Sequence, residues 1–313
     1  MRLPHLLTHS VRSAPRDVVA DDVARPAVRV VTDSTACLPH HPGVSPDGAG
    51  SGPVVVPLRV MTPDGELREG VDITPAQVAE RIGAGQRLTT SQPSPEDFAA
   101  AYRALAQDGA RAIVSVHLSG ALSGTVAGAG HAGQRAMLAV RAVDSRAVAM
   151  ALGFAAQAAA QCAAAGADAE HVAARAAAVA ASSRTLFLVD SLDHLRRGGR
   201  LSAGAAALGT ALGVRPILEI DDGAVRLVQR VRTRAAALER MLALAVEHAD
   251  GMQRVGVAVH HLGAPERAAD VASRLRERLD ATPVVTPVSA VLGTHAGPGA
   301  VAVVVADLGG HSH

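Results

Sequence analysis

Small hydroxyl side chains gather where apolar runs of this sequence end. Asp33, Ser34 and Thr35 close the run VRVVTDST. Thr89, Thr90, Ser91 and Ser94 lie in TTSQPS, and Ser119 and Ser123 follow AIVSVHL. A serine or threonine can donate to an anion. Two of these groups, around Ser91 and Ser119, stand just before a helix-forming stretch, whose first N–H groups are free to do the same. His295 sits in GTHAGPGA, where Gly293, Gly297 and Gly299 allow a tight turn between two apolar strands. Such residues suit recognition of a carboxylate or a phosphate. Taken singly, each is also an ordinary cap, turn or core residue. The functional reading rests on several groups meeting along one edge of a sheet, where α/β proteins bind ligands. Two arginine groups complete the set. RRGGR supplies Arg196, Arg197 and Arg200, and VRTR supplies Arg232 and Arg234. They form either a solvated basic face or a surface for phosphate or an acidic partner.

Sharper motifs do not hold up. GAGHAG at 128–133 has the spacing of a dinucleotide loop, but it lies ten residues past its strand and inside a predicted helix. GALSG at 120–124 is not the G-x-S-x-G of a nucleophile elbow. No phosphate-loop motif occurs. The pairs His40–His41 and His260–His261 lack the spacing to Cys or acids that a metal site needs. His117, at a strand end, reads as core or edge packing.

These residues require a scaffold of alternating elements. Strands are predicted at VRVVTD, VVVPLRV (54–60), AIVSVHL (112–118) and VRAV (140–143). Helices are predicted after Thr74-Pro75 and Ser94-Pro95, each a capping residue followed by proline in the first turn. Ala-rich helices are predicted over about 146–164 and 168–181. Strand–helix alternation implies a mostly parallel sheet with helices outside. After residue 185 the texture changes. TLFLVD, PILEI, AVRLVQRV, RVGVAVHHL and AVAVVVADL read as strands, with a hairpin at Asp221-Asp222-Gly223 and one helix, ERAADVASRLRERL. The expected fold is α/β in two domains. The N-terminal domain is three-layer α/β/α with a mostly parallel sheet (28–160). The C-terminal domain is two-layer α/β with a mixed sheet (161–308). Residues 1–27 read as a disordered extension, 39–53 as a surface loop and 309–313 as a tail.

Composition narrows the function. The 313 residues are 49% hydrophobic with a formal net charge of +1. Every one of the 30 basic residues is arginine, and there are three Phe, one Tyr and no Trp. A near-neutral chain with few rings excludes a general nucleic-acid surface. The longest stretch without a charged residue or a histidine, Ala147 to Ala167, is broken by glutamines and reads as a buried helix rather than a membrane span. Cys37 and Cys162 form no disulfide framework, so a cytoplasmic, reducing location is expected.

VVTDSTACLP, VVVPLRV followed by GVDIT, TTSQPSPEDF, VHLSGALSGT, AVDSRAVAMALG, LDHLRRGGRLS, DGAVRLVQRVRTRAAAL and GTHAGPGA occur in the order of the DegV family, which the chain resembles over about residues 28–307. The resemblance implies a non-catalytic protein with two α/β domains that holds one long-chain fatty acid between them. It implies a separate ATP-binding fatty acid kinase as partner, which converts the presented carboxylate to acyl phosphate for phospholipid synthesis. Carried over by motif, Ser91 and His295 bind the carboxylate, with Thr90 beside them. Ser119 and Gly120 lie in a loop that approaches it, and Thr62 is the nearest match to a threonine after the second strand. Arg200 and Arg232 match arginines on the kinase-facing side. No cofactor or metal is implied, no membrane insertion is expected, and the chain is expected to act as a monomer. Two other readings remain: a Ser/His acyl-ester hydrolase using Ser91 and His295, and a small-ketone kinase subunit that holds substrate covalently through a histidine.

Overall fold

The computed structural model describes residues 27–39, 52–201 and 214–309. Most of the predicted extension (1–27), loop (39–53) and tail (309–313) therefore falls outside the described residues. The first strand, Val28–Asp33 (β1), is buried along its whole length, as an apolar run covered on both faces must be. Val54–Val56 (β2) pairs with it in parallel. The predicted strand 54–60 is in fact two. Pro57 has no N–H to continue the ladder, and Arg59–Thr62 (β3) leaves for a different sheet. That second sheet is small and antiparallel: β3 lies between Gly65–Arg68 (β4) and Thr89–Ser91 (β5). Thr90 and Ser91 thus sit in a strand, where a loop was expected.

Two helix starts follow their sequence signals. Thr74 and Gln77 form a reciprocal cap on Pro75–Gly83 (α1), and Ser94 and Asp97 do the same for Pro95–Gln107 (α2). Ala112–His117 (β6), Thr125–Gly133 (α3) and Ala139–Asp144 (β7) complete the first domain's alternation. The parallel sheet runs β2-β1-β6-β7. The GAGHAG stretch lies in α3, well past its strand, as its position predicted.

Met150–Ala164 (α4) and Ala169–Ala181 (α5) cover the other face of this sheet. Alanine forms helix more readily than any other residue. Its small side chain also lets α4 approach closely, and a Cβ at Gly153 would run into the carbonyl of Ala36. Eleven of the 15 residues of α4 are buried. Both helices also touch the second large sheet, so the division at residue 160 falls inside α4.

That second sheet is built from Arg184–Leu188 (β8), Arg215–Asp221 (β9), Ala224–Val231 (β10), Val255–His261 (β11), Val284–Pro287 (β12) and Val301–Asp307 (β13). Their order is β10-β9-β8-β13-β11-β12, with only β11 and β12 parallel. The predicted β9–β10 hairpin turns at Asp222-Gly223. Strand β12 was not predicted. Asp193–Arg197 (α6) follows β8; Arg234–Ala249 (α7) and Pro265–Arg278 (α8) pack on the sheet's outer face. Strand alternation divides the residues: Leu186 packs toward α7, whereas Phe187 faces α4 and the first domain. Ala290–Ala296 (α9) is a short helix where a turn was expected, with Ser289 as its cap. One apolar cluster runs without a break from β1 through α4 and α5 to β13.

A buried polar chain crosses the parallel sheet. Asp33 Oδ2 lies 3.0 Å from His117 Nδ1, and His117 Nε2 lies 2.7 Å from Ser115 Oγ. Ser115 Oγ is 2.9 Å from the hydroxyl of Tyr102. The order of groups is that of a hydrolytic triad, but Asp33, Ser115 and His117 are completely buried. His117 is a core residue, as predicted. Asp33 also accepts from the backbone N–H of Thr35 and of Leu118 (both 3.0 Å) and from the Thr35 hydroxyl (2.5 Å). It therefore fixes both loops that leave this edge of the sheet.

Candidate functional site

Between the inner face of the six-stranded sheet and the loops of the first domain lies a cavity of about 120 Å³. Phe187, Ile220, Val225 and Ala302 form its floor; Leu118, Leu122, Val148 and Ala149 line it from the first domain. Leu58, Val288, Val291, Leu292 and Ala296 complete the wall. Aliphatic side chains dominate, and Phe187 is the single ring hydrocarbon. Thr90, Ser91, Gln92, His295 and Arg200 close one end.

The polar end is built by two elements from opposite ends of the chain. Strand β5 brings Thr90 and Ser91, and the last turn of α9 brings His295. Nε2 of His295 lies 2.8 Å from Oγ1 of Thr90. Burial depresses the His295 pKa to about 4, helped by the positive charge of Arg200 and by His194, so the ring is neutral at pH 7. The Ser91 hydroxyl donates to the carbonyl of Gln92 at 3.2 Å. Arg200 donates to the carbonyls of Leu122 (3.2 Å) and Gly198 (2.5 Å), which lays its guanidinium across the cavity mouth.

On the far side of the Thr90–His295 pair a wider cleft of about 650 Å³ opens, lined by Gln86, Arg87, His194, Arg197 and Arg200. The pair is thus a partition between an apolar interior and a basic outer cleft. The two glycine-rich motifs of the sequence meet at this partition. A Cβ at Gly198 would overlap the His295 ring, and one at Gly297, which has a φ of +78°, would overlap the ring of His194. Only glycine lets the two segments approach so closely.

Other predicted site residues lie elsewhere. The Ser119 hydroxyl donates to the carbonyl of Gly223 at 2.7 Å, stitching the loop after β6 to the β9–β10 hairpin. The N–H of Gly120 donates to Asp144 at 3.1 Å. Neither lines the cavity. Thr62 ends β3, and its hydroxyl donates to the carbonyl of Gly65 at the β3–β4 turn (3.0 Å), away from the cavity. Arg232 is exposed on the turn into α7. Its neighbour Arg234 pairs with Asp190. Among the described residues no cluster of His, Cys, Asp or Glu could hold a metal, and no helix is long and apolar enough to cross a membrane.

Glu69 went unnoticed in the sequence. It follows β4, is 6% exposed, and accepts from the Ser34 hydroxyl at 2.6 Å and the Val291 N–H at 3.2 Å. Burial raises its carboxyl above the usual range, against the pull of its donors: Ser34, Val291, Ser289 and Ala290. Cys37 lies beside it, its sulfur accepting from the Ser289 N–H at 3.2 Å, and burial pushes its thiol pKa up. No local pattern announces Glu69, because the helix that buries it is more than 200 residues away.

His260 borders the cavity and is fully buried, and burial depresses its pKa to about 4 as well. An unfolded histidine takes up its proton near pH 6.5. Between about pH 6.5 and 4 the unfolded chain therefore binds protons that His260 and His295 refuse in the folded state. The stability present above that window is expected to drain away as the pH falls through it. Urea unfolding at pH 7, 6 and 5 measures this. A falling free energy whose slope is shallower in His295→Asn is the expected result, and a flat profile contradicts it.

Comparison with known proteins follows the same outline. The family model described as "Uncharacterised protein, DegV family" matches residues 27–308. A DegV domain-containing protein of Streptomyces coelicolor is 43% identical over 282 residues, covering 90% of this chain and 98% of the relative. A solved structure described as fatty acid binding of a DegV family protein, from Thermus thermophilus, aligns with a TM-score of 0.79 at 33% identity. It covers 90% of this chain and 99% of the other. A structure described as DegV, a fatty acid binding protein from Bacillus subtilis, aligns with a TM-score of 0.81 at 30% identity, covering 90% and 99%.

Proposed function

The chain belongs to the DegV family, and from that premise we propose that it holds one long-chain fatty acid in the cavity between its sheets, with the carboxylate at Thr90, Ser91 and His295. One observation carries this reading: an aliphatic cavity that ends on hydroxyls and an imidazole, with basic groups beyond them. A carboxylate leaving water needs donors, and here two hydroxyls and a ring nitrogen stand together. The acyl chain supplies the affinity. Burying 14 methylenes is worth about 11 kcal/mol gross at ~0.8 kcal/mol each, less several for lost freedom. The fatty-acid-binding relatives from T. thermophilus and B. subtilis support the same reading.

The carboxylate needs no general base, because it is already a nucleophile. We place the protein as the non-catalytic, cytoplasmic subunit of a fatty acid kinase. A partner brings ATP to the outer cleft, the carboxylate oxygen attacks the γ-phosphorus, ADP leaves, and the acyl phosphate serves phospholipid synthesis. Arg200 at the mouth and Arg232 on the turn into α7 are the partner-facing residues in this scheme. Shielding and positioning are what this subunit contributes. Features of the site favour this over ester hydrolysis. His295 engages Thr90 rather than Ser91, and Nδ1 of His295 faces Gly198 rather than an acid. The aliphatic cavity likewise argues against a small ketone as substrate.

Mass spectrometry of lipid extracted from the purified protein tests the binding. One fatty acid per chain, exchangeable with added oleate, is the expected result. A preparation that carries none and takes up no oleate overturns the proposal. In the presence of the cognate kinase, Arg232→Ala is expected to lower acyl-phosphate formation while leaving oleate affinity unchanged.

A further inference from the structure

The Thr90–His295 contact joins two elements that share no hydrogen-bonded ladder: β5 of the small sheet and the short helix α9. Something must hold them in register. Glu69 is placed to do it. Its backbone N–H donates to the carbonyl of Leu58 at 2.9 Å, tying it to the small sheet beside β3, which pairs with β5. Its side chain reaches the other way. One carboxylate oxygen accepts from the N–H of Val291 in the first turn of α9 (3.2 Å), and the other from the Ser34 hydroxyl (2.6 Å). Ser34 Oγ in turn accepts from the N–H of Leu58 (2.9 Å), so one carboxylate links the small sheet, the loop after β1 and the start of α9. Val288, Val291, Leu292, His295 and Ala296 all border the cavity, so whatever holds α9 holds one whole wall.

We infer that Glu69 is a positioning residue for the ligand-binding end: it pins α9 to the sheet that carries Thr90 and thereby sets the His295 ring where the carboxylate is held. The inference rests on the fatty-acid reading for its ligand but not for its geometry. Glu69 touches neither the cavity nor the ring, and it acts through α9. Removing its carboxylate leaves the buried Val291 N–H and the half-buried Ser34 hydroxyl without that acceptor, which loosens the helix start. The His295 ring then shifts and the acyl chain escapes more readily.

The test uses the full chain with ¹⁵N-labelled histidine rings, in wild type, Glu69→Ala and Glu69→Gln, with the His295 signals assigned by their loss in His295→Asn. Oleate dissociation is timed in the same samples. In Glu69→Ala the His295 ring signals are expected to move while those of His248, in the last turn of α7 on the outer face of the six-stranded sheet, stay in place. Oleate is expected to leave on the order of tenfold faster. Glu69→Gln keeps an acceptor oxygen of the same reach and is expected to fall between the two. It also carries the test if the alanine variant does not fold. Wild-type His295 signals and off-rates in both variants, with only a lower melting temperature, would overturn the inference by making Glu69 a stability residue alone. If wild type itself binds no oleate, the fatty-acid reading fails, and the ring signals still decide the role of Glu69.

Discussion

Oleate affinity is expected to fall about 10- to 100-fold when His295 is replaced by alanine, measured by calorimetric titration at pH 7.5. The size follows from the site. A hydrogen bond to a charged group in a buried place is worth about 1.5–3 kcal/mol, and each 1.4 kcal/mol is tenfold in affinity. The acyl chain keeps its full contact with the cavity wall, so binding weakens rather than disappears. The neutral state of His295 decides what else is seen. Its pKa is held near 4 by burial and by the positive Arg200, and an arriving carboxylate opposes both influences on the ring. Thr90→Val removes the ring's partner and is expected to give a smaller loss in the same direction. Affinity within twofold of wild type in His295→Ala would move the headgroup elsewhere, with the outer arginines the first place to look.

Asp33→Ala is expected to cost about 3–5 kcal/mol of folding stability, because several buried donors lose their acceptor together, each at about 1–3 kcal/mol. Its carboxylate, at the end of β1, accepts from two backbone N–H groups and the Thr35 hydroxyl and faces His117, in a place closed to solvent. The methyl group of alanine can satisfy none. Against a typical total of about 5–15 kcal/mol, such a loss shows clearly as a lower urea midpoint. A loss below about 1 kcal/mol would mean that His117 and Ser115 re-pair without it.

How far the sequence disclosed this molecule depended on whether the signal was local. The starts of α1 and α2 were legible because Thr74-Pro75 and Ser94-Pro95 carry their caps within four residues. The parallel sheet was legible from β1 and β6, whose continuous apolar runs demand cover on both faces. Strand β5 was not, because Thr-Thr-Ser lacks apolar alternation and pairs only through β3. His295 was identified as a site residue but placed in a turn. Gly293 and Gly297 imitate one, and the helix is sustained by the Ser289 cap and by Glu69, neither of which the motif shows. Ser119 looked like a ligand residue because it follows a strand, yet its hydroxyl is engaged by Gly223, 104 residues on. Thr90 was marked beside Ser91, but its bond to His295 spans 205 residues, and no window along the chain contains it.

Helices α4 and α5 touch both large sheets and so tie the two parts of the molecule together mechanically. A cut of the backbone between them would divide the central apolar cluster, which passes through α4 from β1 to β13. The shared cluster couples the two parts, so heat is expected to melt them in one transition rather than two. A ligand lodged between the sheets then grips both parts at once. Its free energy of binding is felt as far away as the outer helices α7 and α8, neither of which it touches.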